Sequence, residues 1–511
     1  MNELILPLLV PFVTALVLAL LRGHHALERV LAILSTGGLA LFAAWLLVTV
    51  DRSGPAAMFV GGWPAPYGIV FVADRLSALF LFVSLAVATA VLVYSLFSLD
   101  ELRQNHFFHP FFQFTLLGVN WAFLTGDLFN LFVAYEVMLI GSYGAMSVGG
   151  TRDQVRETMK YLAINSIGSA CFVIGIGLVY ATTSALNMAD IAVRSQELAG
   201  PQAAVLTAGS MFLLIVFLMK AAAFPVTFWL PDSYPVVPPG VIGYFGGLLT
   251  KVGVYSLLRV FVLVLRQPGH ELALEILLFL SGLTMFLGVV GAMCQWEMRR
   301  LLSWHIISQV GYMIMGIGMA VTGRVAELAL AGTILHVVHN MLVKSSLFLV
   351  GGILERIAGS QRLLKLGGLL DAAPWAAATF LLAALSLAGI PPFSGFLSKV
   401  VLLQAGVAGN HWVVVSVSVL TSFLTLYSMA KIWTWAFWRG DPGELPRSRA
   451  PWPMLPPVLA LVLLSVAIGV GATPALRFAG GAARDLLDST AYVNAVFPDR
   501  HPVLAAVEEA P

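Results

Sequence analysis

The sequence predicts an all-α polytopic membrane protein of about fourteen transmembrane helices, with two inverted five-helix repeats, helices 4–8 and 9–13, and breaks in helices 7 and 12. Three observations carry this. Only 11% of the 511 residues are charged and 59% are hydrophobic, against about 25% charged in a soluble protein. The apolar residues fall in runs of about 20 or more, long enough to cross hydrocarbon, separated by short polar loops. Two of those runs are interrupted by proline, and the lysines in and just after them recur at a fixed offset: Lys220 to Lys399 is 179 residues and Lys251 to Lys431 is 180.

The spans fall near 2–22, 28–50, 75–98, 109–126, 128–149, 158–183, 205–230, 240–266, 273–294, 300–321, 327–354, 374–405, 410–438 and 452–473. The first has Glu3 before its apolar core and Arg22 after it, the pattern of a retained helix rather than a cleaved signal peptide. Residues 51–74, "DRSGPAAMFVGGWPAPYGIVFVAD", mix glycine, proline and β-branched residues and predict a short hairpin cap. Residues 355–371, "ERIAGSQRLLKLGGLLD", read as an interfacial linker, and the chain from 475 as a loosely ordered tail too polar to span. The organisation is thus helices 1–3 with the hairpin (1–100), a first repeat (101–270), a second repeat (271–440), and helix 14 with the tail (441–511).

Orientation follows from loop cations, which stay in the cytoplasm. Loops after odd-numbered helices carry fourteen: Arg22, Arg29, Arg103, Arg152, Arg156, Lys160, Arg299, Arg300, Arg356, Arg362, Lys365, Arg439, Arg447 and Arg449. Loops after even-numbered helices carry five: Arg52, Arg75, Arg194, Arg266 and Arg324. Both termini are therefore expected outside the inner, cytoplasmic membrane.

Several function classes are excluded. A net charge of +2 gives no nucleic-acid footprint. Cys171 and Cys294 stand alone in apolar runs, with no spacing for zinc, iron–sulfur or haem. There is no phosphate-binding or dinucleotide fingerprint. No cofactor and no metal are expected, so the energy must come from an ion gradient or a partner.

Six basic residues remain inside spans: Lys220, Lys251, Arg259, Lys344, Lys399 and Lys431. Glu136 is the acid nearest the middle of a span; His336 and His339 lie mid-helix, and His305 lies in the first turns of helix 10. A charge at mid-membrane costs about 2.5–3.5 kcal/mol on insertion scales, so such groups mark ion pathways. Arg259 and Lys431 lie near helix ends and are expected to snorkel, with a place in the relay the alternative for Lys431. His305 either faces headgroups or joins the pathway, and His339 is either a satisfied core histidine or a relay member. Glu136, Lys220, Lys251, Lys344 and Lys399 sit on five different helices, with apolar sequence on both sides.

The breaks fall beside these lysines. Helix 7 reads "FLMKAAAFPVTFWLP", with Lys220 five residues before Pro225; helix 12 reads "GIPPFSGFLSK", with Lys399 seven residues after Pro392 and eight after Pro391. Proline frees a backbone carbonyl, and non-helical backbone is tolerated at this depth where it lines a cavity. Because helices 7 and 12 are five apart, an odd number, the second copy is inverted, and paired broken helices in inverted repeats point to ion sites near the midplane. A wet spot beside each lysine is the expectation. Glu136 would map onto helix 10, where "SWHIISQVGYM" offers His305, Ser308 and Gln309 instead of an acid. Glu136 paired with Lys220 would hold that lysine protonated, and parting the pair would release its proton toward Lys251, His336, Lys344 and Lys399.

The runs "GIPPFSGFLSK", "LMKAAAFPVTFWLPDSYP", "GGLLTKVGVYSLLR" and "HVVHNMLVKSSLFLVGG" together resemble the proton-translocating antiporter-like membrane subunits. That family includes large subunits of respiratory complex I, membrane hydrogenase subunits, and subunits of Mrp multisubunit sodium/proton antiporters. The resemblance covers about residues 70–440. The segments "GGWPAPYGIVFVAD", "LTGDLFNLFVAYEVMLIGSY" and "WLPDSYPVVPP" are most similar to the D-type Mrp subunits. The resemblance implies a proton-translocating subunit of a Na+/H+ antiporter, with H+ and Na+ as transported ions and other Mrp-type subunits as partners in the bilayer. Its alternative is a proton-pumping subunit of complex I or a membrane hydrogenase. It assigns the helix-5 glutamate to Glu136, and the helix-7, helix-8 and helix-12 lysines to Lys220, Lys251 and Lys399. Lys344 and His336 match the helix-11 pair. Where some relatives carry a second histidine four residues before that lysine, this chain has Asn340, with His339 one residue earlier.

Overall fold

A computed structural model describes residues 2–267, 269–321, 323–440, 443 and 452–498. Arg447, Arg449 and Arg500 lie outside the described residues. Among the described residues, twelve helices are long and apolar enough to cross a bilayer. The 17-residue helix Phe108–Leu124 and a helix split into Pro374–Ala388 and Ser394–Ala408 complete the crossings expected from the sequence.

Numbered as spans, these are α1 (Leu6–Leu20), α2 (His25–Ser53), α3 (Arg75–Ser98), α4 (Phe108–Leu124), α5 (Leu128–Ser147), α6 (Arg152–Thr183) and α7 (Gly200–Ala221). They continue as α8 (Pro239–Leu258), α9 (Glu271–Met293), α10 (Met298–Gly318), α11 (Gly323–Ala358), the split α12, α13 (Trp412–Trp433) and α14 (Leu455–Val470). The hairpin expected before α3 is present: β1 (Ala56–Phe59) pairs antiparallel with β2 (Val70–Ala73), in the register Ala56 to Ala73. Helix starts follow local chemistry. Asp74 and Ser77 form a capping box on α3, Asp127 caps α5, and Thr151 and Gln154 box α6.

The neighbour relations of α4–α8 recur in α9–α13. The first two helices of each set pack on each other, the third packs on the fourth, and the fourth on the fifth. In each set the first helix also touches the fifth. The last helix of each set ends in a π-helical turn, Arg259–Val264 after α8 and Thr434–Trp438 after α13. Between the sets, α8 packs on α11, and both are buried along their whole apolar windows. The polar residues of these two helices therefore lie in protein and not in lipid.

The structure departs from the sequence reading in four places. Helix α7 stops at Ala221, and residues 222–238 form an irregular segment with one short helix, Leu230–Ser233, because Ala222 turns left-handed (φ 57°) and Pro225 follows. Residues 355–358 of the expected linker belong to α11. The tail is not loose: α15 (Ala472–Leu487) and α16 (Thr490–Val496) pack back on the bundle, because Ala479, Ala482, Ala483 and Leu486 give α15 an apolar face. Arg75 of α3 pairs with Asp485 at 2.9 Å and holds that helix down.

The fourth departure is Arg259, which does not snorkel. It is 1% exposed and forms a two-pronged ion pair with Asp74, at 2.5 and 2.9 Å. The Tyr255 hydroxyl lies 3.1 Å away, and the ring of Tyr492 on α16 covers the guanidinium. The acid that pairs with it comes from the α3 cap, 185 residues earlier, so proximity to a helix end said nothing about it.

Candidate functional site

Lys220 ends α7 in its last turn and is 5% exposed. Its Nζ donates to Asn165 Oδ1 of α6 at 2.9 Å and lies 5.7 Å from the Tyr135 ring centre. Glu136, on α5, does not touch it. Ser169 of α6 donates to Glu136 Oε1, and Ser169 Oγ also lies 3.0 Å from the Asn165 carbonyl. Glu136 and Lys220 are thus joined through Ser169 and Asn165, one helical turn apart on α6, instead of by direct contact. Sequence reading passed over both residues. Their one signal was a four-residue spacing, which puts them on the same face of α6.

Lys251 is 1% exposed on α8, and its Nζ donates to Gly246 O at 2.6 Å. On α11, His336, His339 and Lys344 are fully buried. His336 Nδ1 lies 3.0 Å from Ser398 Oγ, and His339 Nδ1 lies 2.8 Å from Ser394 Oγ. Both serines belong to the second half of α12 and were visible in the "GIPPFSGFLSK" motif. The two imidazoles are 5.7 Å apart, and the His336 ring lies 5.2 Å from that of Tyr312 of α10, tilted by 43°. Asn340 donates to the His336 carbonyl at 2.8 Å.

Lys399 reaches back across the α12 break. Its Nζ donates to Leu387 O at 3.1 Å and Ala388 O at 3.0 Å, the last carbonyls of the first half. Helix C-termini carry partial negative charge, and a lysine there satisfies the orphan acceptors. The lysine itself therefore fills the break, and Gly389 (φ 89°) supplies the left-handed turn that exposes those carbonyls. At the α7 break the Met219 carbonyl accepts from the Ala222 N–H and from the Trp229 indole N–H, each at 3.1 Å. At both breaks, side chains thus satisfy carbonyls at the helix end.

The middle of the line is different. Lys344 Nζ, His336 Nε2, both ring nitrogens of His305, Thr250 Oγ1, Ser308 Oγ and both side-chain polar atoms of Gln309 have no protein partner among the described residues. His305 is fully buried instead of facing headgroups, and Lys344 and Lys399 lie near enough to act on it electrostatically. Lys251, Lys344 and Lys399 likewise lie near enough to act on His336, and Lys251 and Lys399 on Lys344. Lys431 stands apart. It is partly exposed, donates to Met293 O and Gln295 O at the end of α9, and sits 3.8 Å over the Trp296 ring.

Fold and site together define a polytopic membrane protein of antiporter-like architecture, with buried lysines and histidines on α7, α8, α10, α11 and α12. Residues 125–425, more than half the chain, match the family described as NADH:quinone oxidoreductase/Mrp antiporter, TM. The chain is 42% identical over 504 residues to the D-type subunit of the Na(+)/H(+) antiporter of Alkalihalophilus pseudofirmus, covering 98% of this chain and 100% of that protein. It is 36% identical over 502 residues to the D-type subunit of the Na(+)/H(+) antiporter of Bacillus subtilis, with the same coverage. Among solved structures, a chain of the Mrp complex from Dietzia sp. matches with a TM-score of 0.88 and 30% identity, over 97% of this chain and 99% of that one. This chain belongs to the NADH:quinone oxidoreductase/Mrp antiporter membrane-subunit family.

Proposed function

We infer that this chain is the D-type subunit of a multisubunit Na+/H+ antiporter of the inner membrane. In this reading it carries protons along Glu136, Lys220, Lys251, His336, Lys344 and Lys399, coupled to Na+ efflux, and works with other Mrp-type subunits. His339 and His305 flank the line. The observation that carries the reading is Lys344: an amine at mid-membrane, fully buried on a fully buried helix, with no protein acceptor among the described residues and with lysines and histidines around it. A buried polar atom left without a partner costs about 1–3 kcal/mol, and more when charged, so a stretch of such atoms serves transport better than stability. Buried polar groups are satisfied by protein or by ordered water, and water between Lys251, His336 and Lys344 would complete a proton path. The names of the curated relatives and the Mrp likeness support the antiporter over the redox-linked pump. The recurring neighbour pattern of the helices supports a division into repeats at 101–270 and 271–440. The excess of cations in loops after odd-numbered helices supports both termini facing outward.

The test uses everted vesicles from an antiporter-deficient host expressing the chain with its neighbouring subunits. Sodium should collapse an imposed pH gradient in wild type and fail to do so in a normally assembled Lys220→Ala complex. An assembled wild type that ignores sodium would overturn the antiport reading in favour of a redox-linked pump.

A further inference from the structure

In each set of five helices, a tyrosine of the second helix meets the lysine of the broken fourth helix. Lys220 Nζ of α7 lies 5.7 Å from the ring centre of Tyr135 of α5, and Lys399 Nζ of α12 lies 5.0 Å from that of Tyr312 of α10. Both distances fall within the reach of about 6 Å at which an aromatic ring attracts a cation. The rings are buried, Tyr135 wholly and Tyr312 to 2% exposure, and each amine is 5% exposed. The two tyrosines stand 177 residues apart, close to the 179 between the lysines. Each hydroxyl is tied to the fifth helix of its own set. Tyr135 hydrogen-bonds with Ser256 Oγ of α8 at 2.9 Å, and Tyr312 donates to the Ser418 carbonyl and meets Ser422 Oγ of α13 at 2.7 Å. The hydroxyls are thus engaged on α8 and α13, and what each tyrosine offers its lysine is the ring.

The two settings differ in one respect. Glu136 follows Tyr135 in the chain and lies near enough to Lys220 to act on it electrostatically, whereas Met313 follows Tyr312. Lys399 acts on His305 of α10 and on His336, His339 and Lys344 of α11, all of them bases. The one charged residue of α13, Lys431, is engaged at the end of α9, and α14 carries none. The hydrogen-bond acceptors of Lys399 are two neutral carbonyls. A buried ammonium needs electrostatic support, and the negative face of an aromatic ring supplies it without taking the proton. We propose that Tyr135 and Tyr312 are positioning residues for the broken-helix lysines, each ring holding the ammonium form in place, and that Tyr312 does in the second repeat what Glu136 helps to do in the first. Its consequence for flux rests on the proton-line reading.

The test reads the lysine itself, so it stands apart from the antiport reading. The chain, assembled with its neighbouring subunits and carrying isotope-labelled lysine, is reconstituted in lipid. The Lys399 Nζ resonance, assigned by its loss in Lys399→Arg, is titrated by solid-state nitrogen NMR. Tyr312 is replaced by phenylalanine, which keeps the ring, and by a trifluorinated phenylalanine, which keeps the shape and weakens the ring's negative face. Tyr312→Phe should hold the Lys399 proton within about threefold of wild type, and the fluorinated ring about tenfold more weakly, a shift of about one pH unit. The same pair at Tyr135 should move the Lys220 titration less, because Glu136 still supports that amine. Sodium-driven proton flux is recorded on the same samples; a wild type without flux would sink the antiport reading and leave the titration to judge the rings. Equal Lys399 titrations with the plain and fluorinated rings would overturn the proposal, and so would a larger shift at Lys220 than at Lys399.

Discussion

Asp74→Asn should strand Arg259 as an uncompensated charge in the protein interior. Arg259 is 1% exposed and Asp74 2%, so water does not screen the pair. Both prongs, at 2.5 and 2.9 Å, are charge-assisted hydrogen bonds. Removing one partner of such a pair costs about 3–5 kcal/mol, most of it the stranded charge. The substitution is clean in one further respect. Asp74 also caps α3 by accepting from Ser77 N at 2.9 Å, and asparagine caps about as well, so loss of the cap cannot mimic the effect. Replacing both partners, Asp74→Asn with Arg259→Met, should recover most of the loss, because well-packed apolar replacements of buried pairs are often neutral. The assay is reversible unfolding in mixed detergent micelles across the two singles and the double. A coupling of about 3 kcal/mol or more is expected. A single-variant cost below about 1 kcal/mol, the range of an exposed pair, would refute the reasoning, and so would a double variant equal to the sum of the singles.

Two further outcomes follow from the geometry. Asn165→Leu removes the acceptor of Lys220 and cuts the link to Glu136, and a charge-assisted hydrogen bond is worth about 1.5–3 kcal/mol. Sodium-coupled proton flux in assembled complexes should therefore fall about tenfold or more, and wild-type flux would count against the Glu136–Lys220 link. Burial pushes the Asp127 carboxyl up to about 6, against the pull of backbone N–H groups of Asn130 and Phe129. The unfolded value lies near 3.9, so the folded chain binds more protons between about pH 4 and 6 and loses stability as pH rises through that window. Asp127→Asn keeps the α5 cap and should remove that slope from melting midpoints recorded from pH 4 to 7; an identical slope in the variant would contradict this.

Much of the architecture was legible because hydrocarbon imposes a length on every apolar run, and loops have to be polar. The hairpin at 51–74 and the breaks at Pro225 and Pro392 announced themselves through residues that cannot continue a helix. What stayed hidden depended on partners distant in sequence. Arg259 looked like a snorkelling residue until Asp74 of the α3 cap was seen beside it. His305 looked peripheral because it follows a loop, yet α10 is enclosed almost throughout. Among the site residues, charge at mid-span singled out the lysines and Glu136. Asn165 and Ser169 carry no charge and are ordinary in membrane helices, so only the fold shows that they stand between Glu136 and Lys220. The tail misled for a different reason. Its apolar face is short and alternates with arginine and aspartate, which reads as a polar segment until the helix is wound.

The most direct test of the proton line compares three assembled complexes reconstituted in proteoliposomes: Lys251→Leu, Lys344→Leu and Lys431→Gln. Proton flux driven by a sodium gradient is followed with an entrapped pH dye. The line predicts flux abolished in the first two, whose amines are buried between α8 and α11, and retained in the third, whose amine caps the end of α9. An assembled Lys344→Leu complex with wild-type flux would contradict it.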